Sequence, residues 1–181
     1  MPKRQIQTFF LGNEFEKPVD KFGGSLLKGN PKKSRPIESK LPIHLVLMSQ
    51  NGGLRLPKVF SKVNQTVANI CRRHGVTVYS YANVGNHIHM VIKIPARPRW
   101  AAFIRELCGR VAQVAQQITG QQAGVKKFWK HRPFTRIVRG WRRPFKLIKE
   151  YVELNCLEAE GFINRRQTKT LKDLRAIWAD G

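Results

Sequence analysis

No aspartate or glutamate occurs between Ser39 and Arg105. A two-metal or acidic-triad active site needs convergent carboxylates, so that stretch excludes one, and a cation bound there has to rest largely on histidine. Acidic residues are scarce throughout, 11 against 34 Lys and Arg, which leaves a net charge of +23 and a pI near 10.9. Such an excess costs the folded state self-repulsion and is usually retained because a polyanion neutralises it. Nucleic acid is the first candidate, with salt-sensitive affinity; an anionic membrane surface is the alternative. Long apolar runs are missing as well. None approaches the roughly 18 residues of a spanning helix, and the start of the chain shows no signal-peptide core. The expectation is a soluble, cytoplasmic, nucleoid-associated protein with no membrane partner. Cysteines are three (Cys71, Cys108 and Cys156), widely spaced and without a C-x-x-C pair. Neither a zinc cluster nor a disulfide framework is indicated, and they read as small core residues.

What the chain does have is 41% hydrophobic and 9% aromatic residues over 181 positions, enough for one domain with a real core. Residues 1–40 carry little periodicity. From Lys17 to Lys40, glycine, proline and cations alternate in a composition that favours an extended basic arm. The compact part is expected over 41–162, followed by a basic tail over 163–181 with a candidate short helix at 171–178. An apolar run at 43–48 has strand length, and Asn51-Gly52-Gly53 turns the chain. Val59, Phe60, Val63, Val67 and Ile70 then mark one face of a helix that Gly75 stops. Strands are expected at 76–81 and 87–94 and a helix from Pro98 to Gly120. A short strand at 134–138 and a helix from Pro144 to Gly161 complete the domain. This order predicts an α+β fold: a ferredoxin-like or RRM-like antiparallel sheet with helices on one face, plus a separate helix.

Alternation across the strand at 87–94 puts Ile88, Met90, Ile92 and Ile94 on one face and His87, His89, Val91 and Lys93 on the other. The apolar set belongs against the helices, so two neighbouring imidazoles face away from the core and can offer neutral nitrogens to one cation. An H-x-H pair is also often incidental, and the spacing leaves that reading standing. On the last helix, Tyr151 and Asn155 lie one turn apart on a single face. A phenol with a pKa near 10 needs a neighbouring cation or base to act as a nucleophile. The plain alternative is a packing tyrosine and a solvent-facing asparagine.

Cations and rings mix in Lys126, Lys127, Phe128, Trp129, Lys130 and Arg132, continuing through Arg136, Arg139, Arg142 and Arg143. Single-stranded DNA wants this mixture, charge for phosphates and flat partners for unstacked bases. Trp129 and Trp141 can equally anchor the connection into the core. On the arm, Lys32, Lys33 and Arg35 suit phosphate contacts that position a stem without reading its sequence.

The ordered set His44-Leu45-Val46-Leu47, Gly85-Asn86-His87-Ile88-His89, Phe128-Trp129 ahead of Phe134-Thr135-Arg136-Ile137-Val138, and Tyr151 to Gly161 resembles the single-tyrosine HUH transposases. Its nearer likeness is to their REP-associated tyrosine transposase branch. The resemblance implies a metal-dependent endonuclease and strand transferase. His87 and His89 would bind Mg or Mn, with Asn155 as third ligand, and Tyr151 would form a 5′-phosphotyrosine link to single-stranded or hairpin DNA. The protein would act as a monomer or homodimer. Cys156 stands where the family usually has proline after the asparagine, and Gly85 where it has proline before the Asn-His pair. Two rivals accommodate the charge: a catalytically silent DNA- or RNA-binding protein of the same fold, with Tyr79 and Tyr81 as stacking platforms, and a basic structural protein of a ribonucleoprotein.

Overall fold

A computed structural model describes residues 20–27, 34–120 and 127–164. Its elements in chain order are β1 (Lys21–Phe22), β2 (Ile43–Met48), α1 (Pro57–Arg73), β3 (Thr77–Asn83), β4 (His87–Lys93), α2 (Arg99–Thr119), β5 (Phe134–Ile137) and α3 (Arg143–Glu160). The strands form one sheet in the order β1-β5-β2-β4-β3, every pairing antiparallel. Within it, β5-β2-β4-β3 with α1 and α2 makes the split β-α-β arrangement that the element order predicts.

One face of the sheet carries the main core. Ile43, Leu45 and Leu47 of β2 and Ile88, Met90 and Ile92 of β4 are at most 1% exposed. They pack with Val59, Val63, Val67 and Ile70 of α1 and Phe103, Leu107 and Val111 of α2. Each of those side chains contributes about 1.5–3 kcal/mol by leaving water. The opposite face is covered by α3. Ile148 and Val152, four apart and therefore stacked along the helix, bury against Ala82, Val91 and Val138. The cysteines are packing residues as expected: Cys71 is buried and Cys108 half-buried, and burial raises their thiols to about 11 and about 12.

Strand β3 departs from simple alternation. Val78 pairs with Ile92 and Ser80 with Val91, so Tyr79 is one extra residue against β4, a β-bulge. Regular alternation would set Tyr79 and Tyr81 on one face. The bulge instead sends Tyr79 toward α3, while Tyr81 packs on the main core and donates to Asn64 Oδ1 at 2.6 Å. The pair therefore forms no common stacking surface.

The arm also departs from expectation, because its described residues pack on the domain. β1 extends the sheet beside β5, and Gly23, at φ +90°, approaches the Pro133 carbonyl where a Cβ would collide. Asp20 is 1% exposed and accepts from Arg139 Nε at 2.8 Å and Nη2 at 2.7 Å. Losing one partner of a fully buried pair costs about 3–5 kcal/mol. Arg139 is 41% exposed, so solvent screening brings this pair well below that figure. Arg35 donates to Thr135 Oγ1 at 2.7 Å and lies 4.4 Å over the Phe22 ring, and burial lowers its guanidinium to about 10. Arg35 and Arg139, read from sequence as phosphate contacts, are thus engaged in fastening the arm to β5. Lys32, Lys33, Lys126 and the helix expected at 171–178 lie outside the described residues.

Candidate active site

The floor of the site is the sheet face under α3. His87 and His89 share that face of β4, their rings 4.5 Å apart between centroids at 74°. One strand away, His44 pairs with Val91 and lies diagonally beside His89. His44 Nε2 and His89 Nδ1 are 3.2 Å apart in a hydrogen bond, with the two rings nearly parallel. Both residues are buried, 5% and 2% exposed. The face opposite the main core is therefore correct for the histidine pair, but it is roofed rather than open. His87, half-buried at the mouth, shares a hydrogen bond between its Nδ1 and Asn86 Oδ1. The loop before it is held by Asn83, which donates to the Leu54 carbonyl at 3.0 Å and accepts from Gly85 N–H at 3.2 Å. Gly85 has φ +95°, a conformation closed to a proline ring locked near −65°.

The roof supplies the phenol. Tyr151 sits edge-to-face with His89 at 5.5 Å and with His44 at 5.9 Å. Val152 and Ile148 fix that placement by burying beside it. One turn on, Asn155 Nδ2 donates to the Tyr151 carbonyl at 2.6 Å, which leaves Oδ1 as the side-chain atom of Asn155 able to bind a cation. Tyr151, His87 and His89 are thus brought together in one chain, and His44 joins them. His44 belongs to a motif that carries the family resemblance, but only pairing between distant strands gives it a place in the site; its one local signal is a histidine inside an otherwise apolar strand. Among the described residues, no group of three His, Cys, Asp or Glu is placed to hold a metal.

Burial dominates the electrostatics. It pushes His44 down to about 3, with Arg136 and His87 adding repulsion, and His87 down to about 4. Both are neutral near pH 7, the form in which imidazole ligates metals. In the unfolded chain the same groups titrate near 6.5. Below that pH the unfolded state takes up protons that the folded site refuses, so stability present above about 6.5 is lost as pH falls toward 3 to 4. Each refused proton costs up to about 1.4 kcal/mol per pH unit. Denaturant midpoints measured from pH 7.5 to 4 should fall steeply below 6.5, and His44→Gln should flatten that slope. An unchanged slope in the variant would mean that His44 is not buried neutral.

The remaining cations flank the site. Arg136 lies opposite His44 in the register, with Lys21 beyond it. Lys127, Lys130 and Arg132 are exposed, on a segment tied to the end of β2 by the Lys130 N–H to Met48 carbonyl bond and the Gln50 N–H to Phe128 carbonyl bond. Arg142 and Arg143 are exposed at the start of α3. Trp129 is an anchor: its indole N–H donates to the Cys108 carbonyl at 3.0 Å and its ring packs on the main core. Trp141 is 43% exposed.

Residues 38–155 match a protein family described as transposase IS200 like. A solved structure of a REP-associated tyrosine transposase bound to a REP hairpin is similar in fold, with a TM-score of 0.56 and 12% identity over 74% of this chain and 76% of that one. A putative transposase from Deinococcus radiodurans R1 aligns at a TM-score of 0.45 and 15% identity, over 69% of this chain and 98% of that one. A search of curated proteins finds no match. No described helix is long and apolar enough to cross a membrane.

Proposed function

Because the chain belongs to the IS200-like transposase family, we propose that it cuts and rejoins single-stranded DNA through a covalent link to Tyr151. The observation that carries this reading is the Tyr151 phenol set 5.5 Å from the His89 ring, in a site lined by neutral imidazoles. The Tyr151 oxygen attacks a backbone phosphorus and its proton departs to solvent. The bond from phosphorus to the 3′-oxygen breaks, and that oxygen leaves protonated as a 3′-hydroxyl. A 5′-phosphotyrosine remains. Attack on it by another 3′-hydroxyl restores Tyr151 and joins the strands, with no ATP consumed.

The donor set fits a divalent cation, Mg or Mn. His87 and His89 each have Nδ1 engaged, by Asn86 and by His44, which suits presentation of Nε2 to a metal. Asn155 Oδ1 would be the third protein donor. Such a cation, when bound, polarises the scissile phosphate and lowers the demand on the phenol. His44 acts through its hydrogen bond: by holding His89 Nδ1 it fixes the ring orientation, an arrangement whose loss typically costs 10- to 100-fold in metal affinity. The flanking cations hold the DNA backbone, and hairpin DNA, the ligand named for the similar solved structure, is the first substrate to try.

The test is a covalent adduct. Protein incubated with Mn and a panel of hairpin-forming oligonucleotides should give an SDS-resistant protein–DNA band, lost on adding a chelator and restored by excess Mn. No band across the panel, from protein that binds the same DNA, would favour a non-catalytic DNA- or RNA-binding protein of this fold.

A further inference from the structure

At the end of the sheet away from His87, three rings gather outside the catalytic cluster. Tyr79, carried to this face by the β3 bulge, meets Trp141 at 5.6 Å and Phe145 at 5.1 Å, both edge-to-face. Trp141 and Phe145 are 5.2 Å apart. A cluster that only closed the end of α3 would bury its largest ring, yet Trp141 is 43% exposed. The Lys93 ammonium lies 5.8 Å from the indole centroid. Segments 77–83, 87–93 and 141–149 together hold five Lys and Arg and no Asp or Glu. A braced, exposed indole on segments whose charged residues are all cationic complements a ligand that is both flat and anionic.

We infer that Tyr79, Trp141 and Phe145 form a stacking platform for one unpaired base of the DNA strand, with Lys93, Arg142 and Arg143 neutralising its neighbouring phosphates. This rests on the reading that single-stranded DNA is the substrate. The occupant is a nucleotide rather than an apolar peptide because the segments that bear the rings carry five cations and no acid. Stacking tolerates any base, since each offers a π face, so the platform sets strand position and leaves sequence unread. Phe145 precedes Tyr151 by six residues, about 9 Å along the helix axis, or about three stacked nucleotides at 3.4 Å each. The platform thus holds a base close to the nucleotide whose phosphate reaches Tyr151.

Binding separates stacking from charge. With chelator present to block chemistry, the wild-type protein and Trp141→Ala are titrated at one salt concentration with three probes. These are a 12-mer of oligodeoxythymidylate, an abasic 12-mer of the same backbone and a 12-base-pair duplex. Trp141→Ala should weaken binding to the thymidylate by between about 5- and 150-fold and to the other two by less than about twofold. Trp141→Phe should retain most of the affinity. The salt dependence of thymidylate binding should survive Trp141→Ala, whereas Arg142→Ala should lower the log–log slope by about one. Equal weakening on all three probes, or no weakening on thymidylate, would overturn the platform. Thermal midpoints within about 2 °C of wild type show that the exposed ring is not needed for folding. Adduct formation is read separately. A normal adduct with no difference between thymidylate and abasic DNA rejects the platform alone, and ring-dependent binding with no adduct rejects the catalytic reading alone.

Discussion

Tyr151→Phe should lower strand cleavage by at least about 10⁴-fold, to the point where no SDS-resistant adduct is seen. The substitution keeps the ring that packs edge-to-face on His44 and His89 and removes only the oxygen that would bond to phosphorus. Folding and DNA affinity should therefore stay near wild type. The other phenols offer no substitute: Tyr81 is half-buried against the main core with its hydroxyl on Asn64, and Tyr79 lies among the rings at the far end of α3. Since phenol and imidazoles meet within one chain, the geometry also forecasts a mixing result. Equimolar Tyr151→Phe and His87→Ala proteins should not restore the adduct to each other. Restored activity in the mixture would show that the working site draws its tyrosine from a second copy. An adduct formed by Tyr151→Phe alone would remove the proposed nucleophile.

His87→Ala should cost about 10³-fold in adduct formation, the several kcal/mol that a cation's hold on the phosphate is worth, while DNA affinity changes by less than about twofold. His87 is the better probe of the pair because it is half-buried at the mouth. His89 is 2% exposed beneath α3, and its truncation would leave a cavity whose cost confuses the result. If the remaining ligands still hold metal weakly, raising Mn should recover part of the activity of His87→Ala and none of that of Tyr151→Phe. Equal loss of DNA binding and cleavage in His87→Ala would instead make this strand end a binding or folding element. Isothermal titration with Mn alone supplies the independent reading: measurable heat for wild type and a much weaker isotherm for His87→Ala.

Local pattern carried much of this site. Alternation alone placed His87 and His89 on the face away from Met90, and helical spacing alone placed Tyr151 and Asn155 on one side of α3, because both rules act over a few residues. Three features escaped for a common reason. His44 joins the site only through the β2–β4 register, a pairing 45 residues apart in sequence. The burial of that site depends on α3 folding back over the sheet, which the amphipathic pattern of α3 permits but does not direct. The Tyr79 bulge turns on one unpaired residue, invisible to any count of alternating positions. The described part of the arm misled for a different reason: its Gly-rich, cationic composition resembles linker, whereas Asp20, Gly23 and Arg35 make specific long-range contacts that composition cannot report. Trp129 and Trp141 look alike in sequence, and only their depth separates anchor from exposed ring.

Both outer strands of the sheet are poor templates for a further strand. A sheet grows, within a crystal or an aggregate, wherever a long regular edge offers unpaired amides to a neighbouring chain. Here β1 offers just two residues, pinned by Asp20 and Arg139, and β3 is broken in mid-strand by its extra residue. Neither side provides the five or six consecutive amides of an ordinary strand. A protein of net charge +23 is thereby protected from polymerising through its own backbone.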